Sequence, residues 1–135
     1  MQVKYSKDTD LLYIHLHTGV PNVLIPTDSE CISKFVSKKD RSVIVGYEIE
    51  EASKNLDEFL SSSPLSSKQK LAVALSYIRN KNHKTQKEFA LVFGISEGSY
   101  KSLERAEHNI TFETLDRIFV ALKGESEIHH VFKIA

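Results

Sequence analysis

The chain has one cysteine, three prolines and five glycines in 135 residues, and its eighteen basic side chains are matched by eighteen acidic ones. The lone Cys31 excludes an internal disulfide and fits a reducing cytoplasm. No Cys–His arrangement surrounds it, so it reads as a packing residue. No apolar run approaches the ~18 residues of a membrane span, and Met1-Gln2-Val3-Lys4 lacks signal-peptide character. There is no Gly-rich phosphate loop, nucleophile–base pair or metal cluster, so no enzyme, cofactor or metal is expected. Hydrophobic content of 41% and charged content of 27% exclude wholesale disorder.

The zero net charge argues at first against a polyanionic partner, until the chain is divided. Residues 1–63 hold seven Lys/Arg against ten Asp/Glu, a net of −3; residues 64–135 hold eleven against eight, a net of +3. A basic half joined to an acidic half is compatible with DNA binding. Charge this modest does not hold a monomer tightly on DNA, so dimerisation is expected.

The basic half carries the sharpest motif. Thr85 and Glu88 fit a capping box, with the carboxylate reaching back to the Thr85 amide. Phe89, Ala90 and Phe93 follow at helical spacing. Gly94 suits a left-handed helix end. Ser96 is a ready N-cap for a second helix, whose inner face is Tyr100 and Leu103. Ala90 is small where two helices must cross closely. The spacing predicts a helix-turn-helix, a geometry that lays its second helix in a DNA major groove.

The flanks extend the pattern. Ser66 and Gln69 form another capping box before Leu71, Leu75 and Ile78, and Arg79 stands in the last turn of that helix. Thr111 caps a further helix, with Ile110 and Leu115 placed for a hydrophobic staple and Gly124 at its end. Residues 66–123 resemble the Xre/Cro/cI-type helix-turn-helix domain, through Arg79, Gln86, Phe89-Ala90, Gly94-Ile95-Ser96, Tyr100, Leu103-Glu104 and the run Thr111–Leu115. The resemblance implies that Arg79 and Glu104 form a structural ion pair and that Gln86 grips a phosphate. The expected DNA surface is Gln86, Lys87, Ser96, Glu97, Ser99, Lys101, Ser102 and Arg105. Two positions depart from the family: Gly98 replaces a long polar side chain, and Glu97 is acidic where a phosphate or base edge should be close.

Before Pro64 the periodicity changes from 3.6 to 2. Val3/Tyr5, Leu11–His17, Asn22–Pro26, Cys31–Val36 and Ser42–Ile49 predict strands, the last two joined by a charged hairpin at Ser37–Arg41. Ala52–Leu60 predicts a short helix on the sheet, with Leu56, Phe59 and Leu60 facing in. Lys4–Ile14 and Val45–Ser53 resemble a family of short β-rich prokaryotic domains of unknown function, a match over residues 1–55 that implies a sheet and assigns no chemistry. His15 and His17 share a strand face but lack further ligands. Glu48 and Glu50 read as a solvated strand end. Residues 127–135 return to period 2, with Ile128, His130, Phe132 and Ile134 on one side, and predict a terminal strand that pairs across a dimer. The alternative is a strand that folds back on its own sheet, with dimerisation through the fourth helix of the helical domain.

The expected protein is α+β: a small antiparallel sheet domain with a short helix (1–60), an exposed linker (61–65), an all-α repressor-like helix-turn-helix domain (66–124) and a C-terminal β-strand (125–135). The expected function is sequence-specific binding of double-stranded DNA by a homodimeric autorepressor, with the antitoxin of a toxin–antitoxin pair as the leading special case and a cognate toxin as partner. The alternative is a protein-interaction module whose helix-turn-helix no longer reads DNA.

Overall fold

A computed structural model describes residues 1–131. Five strands, β1 (Gln2–Ser6), β2 (Leu11–His15), β3 (Asn22–Pro26), β4 (Ile32–Ser37) and β5 (Ile44–Ile49), precede six helices. These are α1 (Ala52–Ser62), α2 (Ser67–Lys81), α3 (Gln86–Phe93), α4 (Glu97–Glu104), α5 (Phe112–Leu122) and α6 (Ser126–His129). The strands form one antiparallel sheet in the order β1-β2-β5-β4-β3. The fold is α+β, as the change of period required.

Alternation along each strand decides which face of the sheet is covered. Leu12 and Ile14 of β2 and Tyr47 and Ile49 of β5 point to one face and are buried. Leu56, Phe59 and Leu60 of α1 are buried as well, and the Phe59 ring meets Tyr47 edge-on at 5.0 Å. The opposite face carries Tyr13, His15 and Phe35, whose rings pack on one another. Burial among these rings, with Lys4 nearby, holds the His15 imidazole below its ordinary pKa. Gly46 sits in the central strand β5, where a Cβ would stand 2.4 Å from the Ile14 carbonyl oxygen. The close approach of β2 therefore requires glycine at that point.

Asp10 fastens the sheet to α1. Its carboxylate accepts from the Tyr5 hydroxyl at 2.7 Å and from the Ser53 amide at 3.0 Å, and its carbonyl accepts from the Ala52 amide at 2.9 Å. Burial pushes the Asp10 carboxyl up, but the bonds from Ser53 and Tyr5 more than offset that and leave it below the ordinary range. Tyr5, Asp10 and Ser53 all fall inside the two β-rich sequence motifs, which gives those motifs a structural task.

The linker does not separate two independent cores. Residues 61–62 extend α1, and Leu65 is buried. One continuous apolar core runs from Leu12 and Ile14 through Leu71–Ile78 to Phe93, Tyr100 and Ile118. The seam is α2 against β1, where the Tyr5 and Tyr77 rings meet edge-on at 4.7 Å. Nearby, Lys7 Nζ donates to the Lys81 carbonyl at 3.0 Å.

The terminal strand is not what forms between Ser126 and Val131. Ser126–His129 is the short helix α6, and Phe132–Ala135 lie outside the described residues. Ile128 and Val131 are both buried, three residues apart, a spacing that a helical turn satisfies and a strand does not. Contacts to α1 and α2 select the turn: Ser126 Oγ donates to Asp57 at 2.8 Å, and Lys81 pairs with Glu125. Gly124 does not take a left-handed conformation either; α5 ends at Leu122, with Lys123 as its C-cap.

Candidate nucleic-acid interface

The two helices of the motif form where their caps stand. Thr85 Oγ1 accepts from the Glu88 amide at 3.1 Å and opens α3. The Glu88 carboxylate does not complete the expected box. It takes the Thr85 hydroxyl at 3.2 Å and pairs with Lys84 at 3.7 Å. Gly94 closes α3 at φ 68°, and the Gly94 and Ile95 amides return to the Leu91 and Ala90 carbonyls. The turn is also braced from α5: a Cβ on Gly94 would stand 2.7 Å from Arg117, whose guanidinium lies 3.5 Å from the Phe93 carbonyl. Ser96 Oγ then accepts from the Ser99 amide at 3.0 Å and opens α4.

Aromatic packing fixes the angle between the helices. Phe89 meets Phe93 at 5.4 Å and Tyr100 at 5.9 Å, both edge-on. Tyr100 is wholly buried, and burial together with the Glu104 carboxylate holds its phenol well above the ordinary range. Ala90, also buried, leaves room for the crossing.

Arg79 and Glu104 make a bidentate pair, Nε to Oε2 at 2.8 Å and Nη2 to Oε1 at 2.9 Å. Their side chains are 14% and 8% exposed. Arg79 Nη1 also donates to the Lys84 carbonyl at 3.0 Å, so one guanidinium ties α2, the following turn and the end of α4. Burial pushes the Arg79 pKa down, but the Glu104 bonds outweigh it and the net shift is upward. Both groups are held in a fixed geometry, which suits a structural rather than a reading role.

The eight residues singled out for DNA contact lie on α3, α4 and the caps between them. Lys87, Ser96, Glu97, Lys101 and Arg105 are exposed, and Gln86, Ser99 and Ser102 are half-buried. Several are already engaged with one another. Lys101 pairs with Glu97 at 3.5 Å, Arg105 with Glu107 at 3.1 Å, Ser96 donates to Ser99 at 2.9 Å, and Arg105 donates to Ser102 at 3.3 Å. Each cation on the outward face of α4 therefore has a carboxylate beside it. Gly98 adds no side chain there, and a Cβ at that position would meet open space.

Sequence reasoning missed the opposite wall of this site. A cleft of about 440 Å³ runs beside α4, bounded on one side by Arg79, Gln86, Lys101, Glu104, Arg105 and Glu107. Met1, Gln2, Val3 and Thr18 form its other side. Those four come from the edge strand β1 and the connection after β2, more than 60 residues away in the chain. No local pattern announces such a juxtaposition; only the docking of β1 on α2 creates it.

The comparisons bear on the helical part. Residues 75–127 match the family model described as Helix-turn-helix. The match begins inside α2 and runs into α6, takes in the whole of α3, α4 and α5, and covers less than half of the chain. The matched segment is a helix-turn-helix of the type found in DNA-binding transcription regulators. The sheet lies outside it. No curated protein and no solved structure matches the chain. Among the described residues no helix is long and apolar enough to cross a membrane, and no three or more His, Cys, Asp or Glu gather to hold a metal ion.

Proposed function

We propose that this protein is a non-enzymatic, sequence-specific DNA-binding regulator that represses its own transcription as a homodimer. The observation that carries the reading is α4, capped by Ser96, seated on the Phe89–Phe93–Tyr100 cluster and open to solvent along Glu97, Lys101 and Arg105. In this reading the amide ends of α3 and α4, with Gln86, Lys87 and Ser96, hold phosphates. Ser99, Lys101 and Ser102 turn to base edges, and Glu97 accepts from cytosine N4. Contact with DNA, Lys101 with a base edge and Arg105 with phosphate, draws them away from Glu97 and Glu107.

Dimerisation is supported by α5 rather than by the chain end. Phe112 is 90% and Val120 65% exposed, two turns apart on one side of the helix with the exposed Asp116 between them. Two such sides packed together would remove both from water and set two copies of α4 for half-sites about one DNA turn apart. The antitoxin role is the special case in which the sheet holds a toxin, with the ringed face of Tyr13, His15 and Phe35 as the surface available for it.

One observation favours the other reading, an interaction module that has lost DNA: the carboxylates of Glu97 and Glu107 beside the only cations of α4 and its C-cap. Fluorescence anisotropy with duplexes from the region upstream of the gene and with scrambled duplexes separates the two. The regulator prefers its own upstream DNA, and Lys101→Ala with Ser102→Ala reduces that preference by about 1–3 kcal/mol per lost base contact. Equal, weak binding to both duplexes would favour the interaction module.

A further inference from the structure

The sheet half carries a net charge of −3, yet that charge is not spread evenly over it. Antiparallel pairing puts the β1–β2 turn, the β3–β4 turn and the start of α1 at one end of the sheet. Asp8, Asp10, Asp28, Glu30, Glu50 and Glu51 are all at that end. The other end holds the start of β1, the connection from β2 to β3 and the β4–β5 hairpin. Its charges are Lys38, Lys39 and Arg41 against the single Asp40.

This basic end is the one that borders α4. Met1, Gln2 and Thr18 form the wall of the cleft facing Lys101 and Arg105, and no acidic side chain of the sheet lines it. The hairpin tip is tied to the connection that carries Thr18, because the Lys38 amide donates to the Pro21 carbonyl at 2.9 Å. β5 and β4 lie two and three strand spacings from β1, roughly 10–15 Å. That reach is comparable with the ~12 Å width of a major groove, whose walls are phosphates.

The tip cations are also uncommitted. Asp40 accepts from the Ser42 amide at 3.0 Å and from the Ser42 hydroxyl at 2.6 Å, which keeps its carboxylate below the ordinary range. Among the described residues, no ion pair involves Lys38, Lys39 or Arg41, and all three are exposed. On α4 every cation has a carboxylate neighbour. Of the eight residues read as DNA contacts, Lys87 is then, among the described residues, the one cation outside an ion pair, whereas the sheet tip has three.

We infer that the basic end of the sheet is a second DNA-contacting surface, in which Lys38, Lys39 and Arg41 bind backbone phosphates flanking the groove that α4 enters. The inference rests on the DNA-binding reading above and extends it to a region outside the helix-turn-helix match. Phosphate contacts position a protein without reading sequence. The tip therefore contributes affinity and salt dependence, while α4 contributes preference.

The test compares the intact protein with Lys38→Gln/Lys39→Gln/Arg41→Gln, by anisotropy on upstream and scrambled duplexes between about 50 and 200 mM salt. The triple variant should flatten the slope of log K against log salt by about 2–3 and weaken binding roughly tenfold or more, equally on both duplexes. Lys39→Gln alone, at an exposed tip with little risk to folding, should flatten it by about 1. Lys54→Gln, near the acidic end, should leave the slope unchanged. If the intact protein binds and Lys101→Ala/Ser102→Ala alters its preference while the triple variant keeps the full slope, the sheet surface is wrong and the DNA reading stands. If the intact protein binds neither duplex, both fall.

Discussion

Helices α2 and α5 have similar jobs in outline, since each presents apolar residues to the same core, but they are buried in opposite ways. Eight consecutive residues of α2, Leu71 to Ile78, are buried, whereas α5 buries only Thr114 and Ile118 fully and leaves Phe112 and Val120 in water. A helix covered on all sides has neighbours on all sides: β1 packs on α2 from the sheet half, and α4 and α6 from the helical half. A helix that keeps large apolar side chains exposed has a face left uncovered by the described residues. The first helix is the spine that joins the two halves of the fold; the second carries the exposed apolar surface through which the proposed dimer would form.

The contrast can be broken most severely at the seam. Tyr77 is 3% exposed and packs edge-on to Tyr5, with its phenol pushed up to about 12 by burial and the Glu127 carboxylate. Tyr77→Ala should cost about 3–5 kcal/mol, the range for deleting a buried aromatic. Because the core is shared, urea unfolding followed separately in the sheet and in the helices should still show a single transition. Two resolved transitions would mean that α2 serves only one half.

A somewhat smaller loss is expected where α2 meets α4. Arg79→Met leaves Glu104 without its bidentate partner and should cost about 3 kcal/mol, near the lower end for breaking a buried pair because Arg79 keeps some contact with water. Adding Glu104→Leu should recover most of it, which thermal denaturation of the two variants would measure. No recovery would show that the pair contributes more than mutual neutralisation.

On α5 the same kind of change should do little to the fold and much to assembly. Phe112→Ser with Val120→Ser should alter monomer stability by no more than about 0.5 kcal/mol, as for exposed positions away from special features. It should convert the proposed dimer to a monomer in light scattering at micromolar concentration. A double variant that remains dimeric would place the dimer contact elsewhere.

The smallest effect belongs to the contact of α2 with α6. Burial raises the Glu127 carboxyl above the ordinary glutamate range, against the pull of Lys81 at 3.9 Å. The native state therefore binds this proton more tightly than the unfolded chain does. The stability that goes with it is present below about pH 4 and is lost as pH rises through the raised value. Glu127→Gln stays neutral throughout, so it should raise Tm relative to the natural chain near neutrality, with the difference shrinking as pH falls. A difference independent of pH would contradict the buried carboxyl.

The parts of the fold that were readable beforehand depend on interactions within a few residues. Ser66 with Gln69, Thr111 with Thr114 and Ser96 with Ser99 act over three positions, and Gly94 acts at its own dihedral, so α2, α3, α4 and α5 all start at the expected caps. The alternation of buried and exposed positions likewise marked all five strands to within one or two residues. Two readings failed where distant contacts decide. Period 2 over residues 127–135 suggested a strand, but Asp57 and Lys81, reached across 69 and 44 positions, hold residues 126–129 as a helical turn. Leu65 looked like linker and is buried. The cleft wall of Met1, Gln2 and Thr18 has no signature at all.

Sequence alone therefore determined the caps, the periods and the helix-turn-helix, since each is written in residue types at short spacing, while the Arg79–Glu104 pair was implied by the family resemblance. Tertiary structure alone decided that Asp10 would clasp Ser53 from 43 positions away, that the middle of α2 would be buried all round, and that the start of β1 and Thr18 would face α4. These depend on how β1 docks against α2. Apolar burial drives that docking without direction, so only the assembled surfaces determine which edge meets which helix.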